Sequence, residues 1–186
     1  MPRAGLTSAR VVDEAARIAN RDGLERLTLA AVAGSLGVRV PSLYKHVGGL
    51  PALRRDLALR AKLELTVVLT RATVGRSRGH ALRALAKAYR GWALDHPAEY
   101  VATQAPPAPG DDEDEAVSAE LVSVVYDVLR GYGAGDDALV DATRTLRACI
   151  HGFAALEAAG GFAIPRSLDD SVEWFLEAVD ARLSAG

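Results

Sequence analysis

The stretch from Thr28 to Val47, TLAAVAGSLGVRVPSLYKHV, constrains the fold more than any other because its backbone requirements and its apolar spacing agree. Leu29, Val32, Ala33 and Leu36 recur at the spacing of one helix face, which predicts an amphipathic helix. Thr28 stands where its hydroxyl can cap that helix's free N–H groups. Gly37 supplies a residue able to take positive φ at the stop, and Pro41 falls in the first turn of the next helix, where a missing N–H is harmless. Leu43 and Val47 point toward the packed side. Pro41, Ser42, Lys45 and His46 point away from it and offer solvent a compact, proton-rich, cationic face. A helix, a tight turn and a second short helix follow. The same geometry occurs as an ordinary corner between packed helices, so by itself it leaves both a structural corner and a DNA-reading unit open.

Composition narrows the surroundings of this unit. Hydrophobic residues make up 49% of the 186 residues but aromatics only 5%, so the interior must be built from Ala, Leu and Val, as in all-α proteins. The formal net charge of -2 hides an asymmetry. Met1 to Lys62 carries 11 Lys and Arg against 5 Asp and Glu, a net +6, whereas Leu63 to Gly186 carries 11 against 19, a net -8. A basic head suits a polyanion. No apolar run approaches the ~20 residues of a spanning helix, and the start MPRAGLTSAR lacks a secretory apolar stretch, so a cytoplasmic location without a membrane is expected. The one cysteine, Cys149, has no partner for an intrachain disulfide and reads as an inert core residue more readily than as a redox sensor.

Along the chain, Thr7 or Ser8 caps a first helix that turns Val11, Val12, Ala15, Ile18 and Ala19 inward until Gly23. With the two helices of the opening stretch it forms a three-helix head whose expected core is Val11, Ala15, Ile18, Leu29, Val32, Leu36, Leu43 and Val47. Leu50-Pro51 opens a long helix to about Thr73, with Leu53, Leu57, Leu65 and Val68 buried. Helices follow over about 80–96, from Pro97 to APPAPG, over 116–130, over 136–159 with Asp136 or Asp137 as cap, and from Ser167 onward. That makes about nine. The acidic run Asp111 to Glu115 lacks the spacing of a calcium loop and reads as a solvated loop. GYGAGDD has no strand before it, so it reads as an interhelical turn. His46, His80, His96 and His151 have no neighbouring nucleophile or metal pair at a recognisable spacing, so no enzyme, metal or cofactor is expected.

The run Gly37-Val38-x-x-x-x-Leu43-Tyr44-x-His46-Val47, preceded by Leu29-x-x-Val32-Ala33, resembles the DNA-binding segment of TetR-family transcriptional regulators, and the similarity is strongest over 8–53. The resemblance implies a helix-turn-helix DNA-binding domain over 1–48 and a helical ligand-binding and dimerisation domain over 49–186. It implies a homodimer through the last two helices on a pseudopalindromic double-stranded operator, released by a small, mainly apolar effector. Thr28, Tyr44, Lys45 and His46 are carried over as phosphate contacts, with Arg39, Pro41 and Ser42 at base edges. Leu50 departs from the family's frequent lysine, which leaves that phosphate contact to Lys45, Arg54 or Arg55, with Arg54 and Arg55 reading equally as a solvated cationic face. A weaker match over 149–162 resembles a C-terminal class with a Trp and a His-Gly pair, where Arg147 replaces the tryptophan. The ligand candidates are Tyr89, Trp92, Thr103, Gln104, Tyr126, Arg147, His151 and Phe153, polar tips or aromatic groups on apolar helix faces. The alternative is a helical interaction module or small-molecule-binding protein without operator binding.

Overall fold

The computed structural model describes residues 5–185, and among them the chain forms nine α-helices and no strand, as the all-α reading expected. The leader reading of the chain start rests partly on residues 1–4, which lie outside the described residues. In order the helices are α1 (Ser8–Asp22), α2 (Leu29–Leu36), α3 (Val40–Leu43), α4 (Leu50–Thr73), α5 (Arg78–Asp95), α6 (Pro97–Thr103), α7 (Asp112–Arg130), α8 (Asp136–Ala158) and α9 (Leu168–Ser184). A short 3-10 turn, Leu24–Arg26, joins α1 to α2.

The chain divides into two compact units: Met1–Lys62 with His96–Asp114, and Leu63–Asp95 with Glu115–Gly186. In the first unit, Val11, Ala15, Ile18, Leu27, Val32, Leu43, Val47, Leu53 and Leu57 form the buried core. Leu29 and Leu36, expected inside, are only partly buried and pack on its margin. The helix α6 joins this unit through a cap supplied from far away in sequence. The Asn20 carboxamide oxygen accepts from the backbone N–H groups of Ala98 (3.0 Å) and Glu99 (3.3 Å), and its nitrogen donates to Glu99 Oε2 at 2.6 Å. Glu99 is 1% exposed, so this contact offsets the desolvation of a buried carboxylate.

The acidic run does not form the solvated loop expected of it. Asp112 already begins α7, and Asp114 is buried against Lys62 Nζ at 2.6 Å. Asp111 is bound by Arg55, which holds its carboxyl down at about 2. The reason is long-range: Arg55 and Lys62 stand on α4 within the same unit and present cations to the run.

In the second unit, α5 packs on α8 and α9, and Leu82, Leu85, Ala86, Tyr89 and Trp92 of α5, Leu146, Ile150 and Ala154 of α8 and Val172 and Leu176 of α9 are buried. Arg90 donates to Glu157 (2.7 Å) and Asp169 (2.6 Å), tying α5 to α8 and α9. Ser167 caps α9 as expected, accepting from Asp170 N–H at 3.3 Å. Asp136 and Asp137 do not cap α8; they lie in its first turn, and Gly135 occupies the cap position without a side-chain bond. There their charges favour the helix's positive end. Within the described residues no helix is long and apolar enough to cross a membrane.

Candidate nucleic-acid interface

The turn between α2 and α3 is built from backbone requirements that neighbouring residues satisfy. Thr28 accepts from Ala31 N–H at 3.1 Å and so caps α2. Gly37 adopts φ 66, and the N–H groups of Gly37 and Val38 reach back to the carbonyls of Gly34 (3.2 Å) and Ala33 (3.0 Å). These two bonds close a Schellman motif, whose left-handed residue glycine adopts without steric penalty. Pro41 sits in the first turn of α3, and Leu43 (0% exposed) and Val47 (5%) anchor the segment to the core. Ser8 Oγ donates to the His46 carbonyl at 2.9 Å, fastening the start of α1 to the end of the reading segment.

Most of the candidate contacts are open to solvent. Arg39, Pro41, Tyr44 and Lys45 are exposed, with Tyr44 at 60%, while Ser42 and His46 are half-buried. Thr28 is exposed at the start of α2. Tyr44 is a large aromatic left open to solvent and so is not part of the head's core. The substitutes for the missing lysine fare differently. Leu50 packs on the head's core. Arg54 donates to the Leu24 carbonyl at 3.3 Å, and Arg55 is engaged with Asp111 and Glu113. Arg55 is thus neither the free phosphate contact nor the solvated cation that its sequence setting suggested, because the acidic run occupies it.

The charge of the head also changes in three dimensions. Counted over Met1–Lys62 and His96–Asp114, 11 Lys and Arg meet 10 Asp and Glu, a net +1 in place of the +6 of the N-terminal stretch alone. Arg17 and Arg21 are further matched by Glu14 and Asp22. The stretch from Gly37 to Val47 nonetheless stays cationic in itself, because it carries Arg39 and Lys45 and no Asp or Glu.

The ligand candidates fall in both units. Thr103 and Gln104 belong to the first, where Thr103 Oγ1 donates to the Tyr100 carbonyl at 2.7 Å and accepts from Gln104 Nε2 at 2.9 Å. The other six belong to the second: Tyr89 and Trp92 are buried, Tyr126 and Phe153 half-buried, and Arg147 and His151 exposed. Phe153 stacks on Phe162, with ring centroids 5.7 Å apart. A cleft of about 230 Å³ in the second unit contains none of the eight and is walled instead by Thr73, Arg76, Arg78, Val124 and Val128. Sequence reasoning missed it. The available signal was a 30-residue stretch, Leu65 to Leu94, with six cations and no acidic residue. Cys149 is half-buried, and burial pushes its thiol up, away from the reactive thiolate. Among the described residues no group of three or more His, Cys, Asp or Glu could hold a metal ion.

Comparison with known proteins brings three kinds of likeness. The family described as "Tetracyclin repressor-like, C-terminal domain" matches residues 82–179. The uncharacterised HTH-type transcriptional regulator YobS of Bacillus subtilis is 37% identical over 94% of this chain and 93% of its own. Among solved structures, ActR of Streptomyces coelicolor in complex with (S)-DNPA is 21% identical with a TM-score of 0.69, covering 98% of this chain and 99% of that one. BioQ with its double-stranded DNA operator is 20% identical with a TM-score of 0.70, covering 98% and 100%. These two structures show the shared fold.

Proposed function

The chain belongs to the TetR-like family of helix-turn-helix transcriptional regulators, and we propose on that premise that it is a ligand-responsive repressor acting as a homodimer on a pseudopalindromic operator. The observation that carries this reading is the segment from Arg39 to His46, cationic and exposed outward while Leu43 and Val47 are sealed inward. In this reading residues 1–48 form the DNA-binding domain and 49–186 the effector-binding and dimerisation domain. Arg39 makes a bidentate contact to guanine, Ser42 a single hydrogen bond to a base and Pro41 an apolar contact to a thymine methyl. Thr28, Tyr44, Lys45 and His46 hold phosphates and set the register.

Two copies joined through α8 and α9 present their reading segments one helical turn apart, about 34–36 Å, to successive major grooves. The exposure of Trp174 (73%) and Leu156 (49%) on those helices supports their use as the joint. An effector bound in the larger domain releases DNA by favouring the spacing that the operator does not accept, which requires tighter binding to that state. The candidate contacts for it are Tyr89, Trp92, Thr103, Gln104, Tyr126, Arg147, His151 and Phe153. The protein works in the cytoplasm and performs no catalysis in this reading.

The test is a fluorescence-anisotropy titration against the promoter beside its own gene at several salt concentrations. Specific binding that weakens with salt, and that an Arg39→Ala, Lys45→Ala double variant loses while remaining dimeric, supports the reading. Binding that is absent or indifferent to salt refutes it.

A further inference from the structure

The cleft in the second unit has a chemistry that the operator-binding reading does not use. It lies where α4 ends, α5 begins and α7 ends, and its volume of about 230 Å³ is somewhat below the ~300–1,000 Å³ of sites for drug-sized ligands. Its apolar lining is Val74, Ala81, Val124 and Val128, of which Ala81 and Val128 are buried, Val124 half-buried and Val74 exposed. Its rim carries three hydroxyl residues, Thr70, Thr73 and Ser77, and two guanidinium groups, Arg76 and Arg78. The single lining carboxylate, Asp127, is paired with Arg130 at 3.0 Å, so the two rim arginines set the sign of the cleft.

The rim is also held in place. Arg78 Nε donates to the Gly131 carbonyl at 3.3 Å, and its guanidinium lies 5.8 Å from the centroid of the Tyr132 ring. Tyr132 in turn donates its hydroxyl proton to Asp180 at 2.6 Å. Arg78 therefore fixes the α4–α5 corner against the end of α7, while Arg76, two residues away, projects into an exposed position beside the opening. The corner stands inside the stretch Leu65 to Leu94, which contains no acidic residue; the carboxylates near it, Asp127 and Asp180, come from α7 and α9.

We propose that this cleft binds a small organic anion, its carboxylate held at the Arg76 rim and its apolar body laid against Val124 and Val128. A guanidinium recognises a carboxylate by paired, charge-assisted hydrogen bonds, and the apolar lining contributes roughly in proportion to the area it covers. A neutral molecule of the same shape forgoes the first contribution, and a bare inorganic anion forgoes the second. Such a ligand acts at a site separate from the eight candidate effector contacts; the inference rests on the repressor reading for any consequence at the operator and on the cleft alone for its binding.

The test uses the full-length protein and sodium octanoate as probe, followed by isothermal titration calorimetry, with octanol and inorganic phosphate as comparisons. Octanoate is expected to bind at least tenfold more tightly than either. Arg76→Ala should weaken it at least tenfold, and Val124→Trp, which fills the cleft, should abolish it. Lys87→Ala removes an exposed cation of the same unit outside the cleft and should leave it unchanged. Circular dichroism confirms that each variant is folded; Arg76 is exposed, so its replacement decides the matter even if Val124→Trp does not fold. No octanoate binding, equal binding of octanol or phosphate, or equal loss in Arg76→Ala and Lys87→Ala overturns the assignment. An operator titration run beside it separates the two readings. Octanoate binding without operator binding sinks the repressor and leaves the cleft, while operator binding without octanoate binding sinks the cleft alone.

Discussion

Replacing Asn20 by alanine should loosen α6 selectively. The carboxamide serves three partners at once: it accepts from the N–H groups of Ala98 and Glu99 and donates to the carboxylate of Glu99. The first two bonds are a helix cap, and loss of a cap costs about 1 kcal/mol, within a range of ~0.5–2. The third satisfies a carboxylate that is only 1% exposed, and a hydrogen bond to a charged group contributes about 1.5–3 kcal/mol. Asn20 is itself only half-buried, so water recovers part of the loss and the lower end of each range applies. The sum is about 2–2.5 kcal/mol, or roughly a thirtyfold to sixtyfold increase in local opening at ~1.4 kcal/mol per decade. Hydrogen exchange followed by mass spectrometry reads this directly, because the amides of Tyr100 to Thr103 exchange through that opening. Asn20→Ala should accelerate them by that factor and leave the amides of α8 unchanged. If the α6 amides exchange at the native rate, the cap does not hold the helix and the reasoning fails. Asn20→Asp adds a control, since it keeps the accepting oxygen but sets a second carboxylate against Glu99, and α6 should then open at least as readily.

Other outcomes follow from the same geometry. Asp111 is held at about 2 by Arg55, below the ~3.9 of an unfolded aspartate, so its stabilisation is complete above that value and is lost as pH falls from about 5 toward 2. The acid limb of a urea-midpoint titration should flatten in Arg55→Gln; an unchanged limb refutes the pairing. Asp114→Ala leaves Lys62, 2% exposed, without its carboxylate and should destabilise the chain by about 3–5 kcal/mol. The double variant Lys62→Met, Asp114→Leu should recover most of that loss in urea unfolding, and a double variant as unstable as the single one would contradict this. On the operator, Arg39→Ala should cost about 1–3 kcal/mol and relax the preference at one base pair, whereas Lys45→Ala should weaken all sequences alike and reduce the salt slope by about 1. Identical profiles for the two variants would show that neither has the assigned role.

Much of the helical architecture was legible in the sequence because its determinants are local. Thr28 caps through Ala31, Ser167 through Asp170, and Gly37 closes its motif with carbonyls three and four residues before it; each is a contact within one or two turns. Apolar spacing likewise placed Leu43 and Val47 inward, since the periodicity of a helix face is a property of neighbouring residues. The reading segment could be picked out for the same reason. Which of its residues face outward follows from that periodicity, whereas its seat on the head depends on α1, through the shared core and the Ser8 hydrogen bond to the His46 carbonyl.

What the tertiary structure decided concerns groups whose partners stand far away in sequence. Asn20 caps a helix 78 residues on, Arg55 meets Asp111 56 residues on, and Lys62 meets Asp114 52 residues on. No local pattern announces such pairs, so an acidic run that reads as a solvated loop becomes the counter-charge of α4, and a head that reads as strongly basic is nearly neutral as a unit. Charge acts through distance in space, and the cleft at the α4–α5 corner exists only where three helix ends meet. The sequence by itself determined which segments are helices and which faces they bury; folding determined which charges remain available to a ligand or to DNA, because only the fold sets which charges are neighbours.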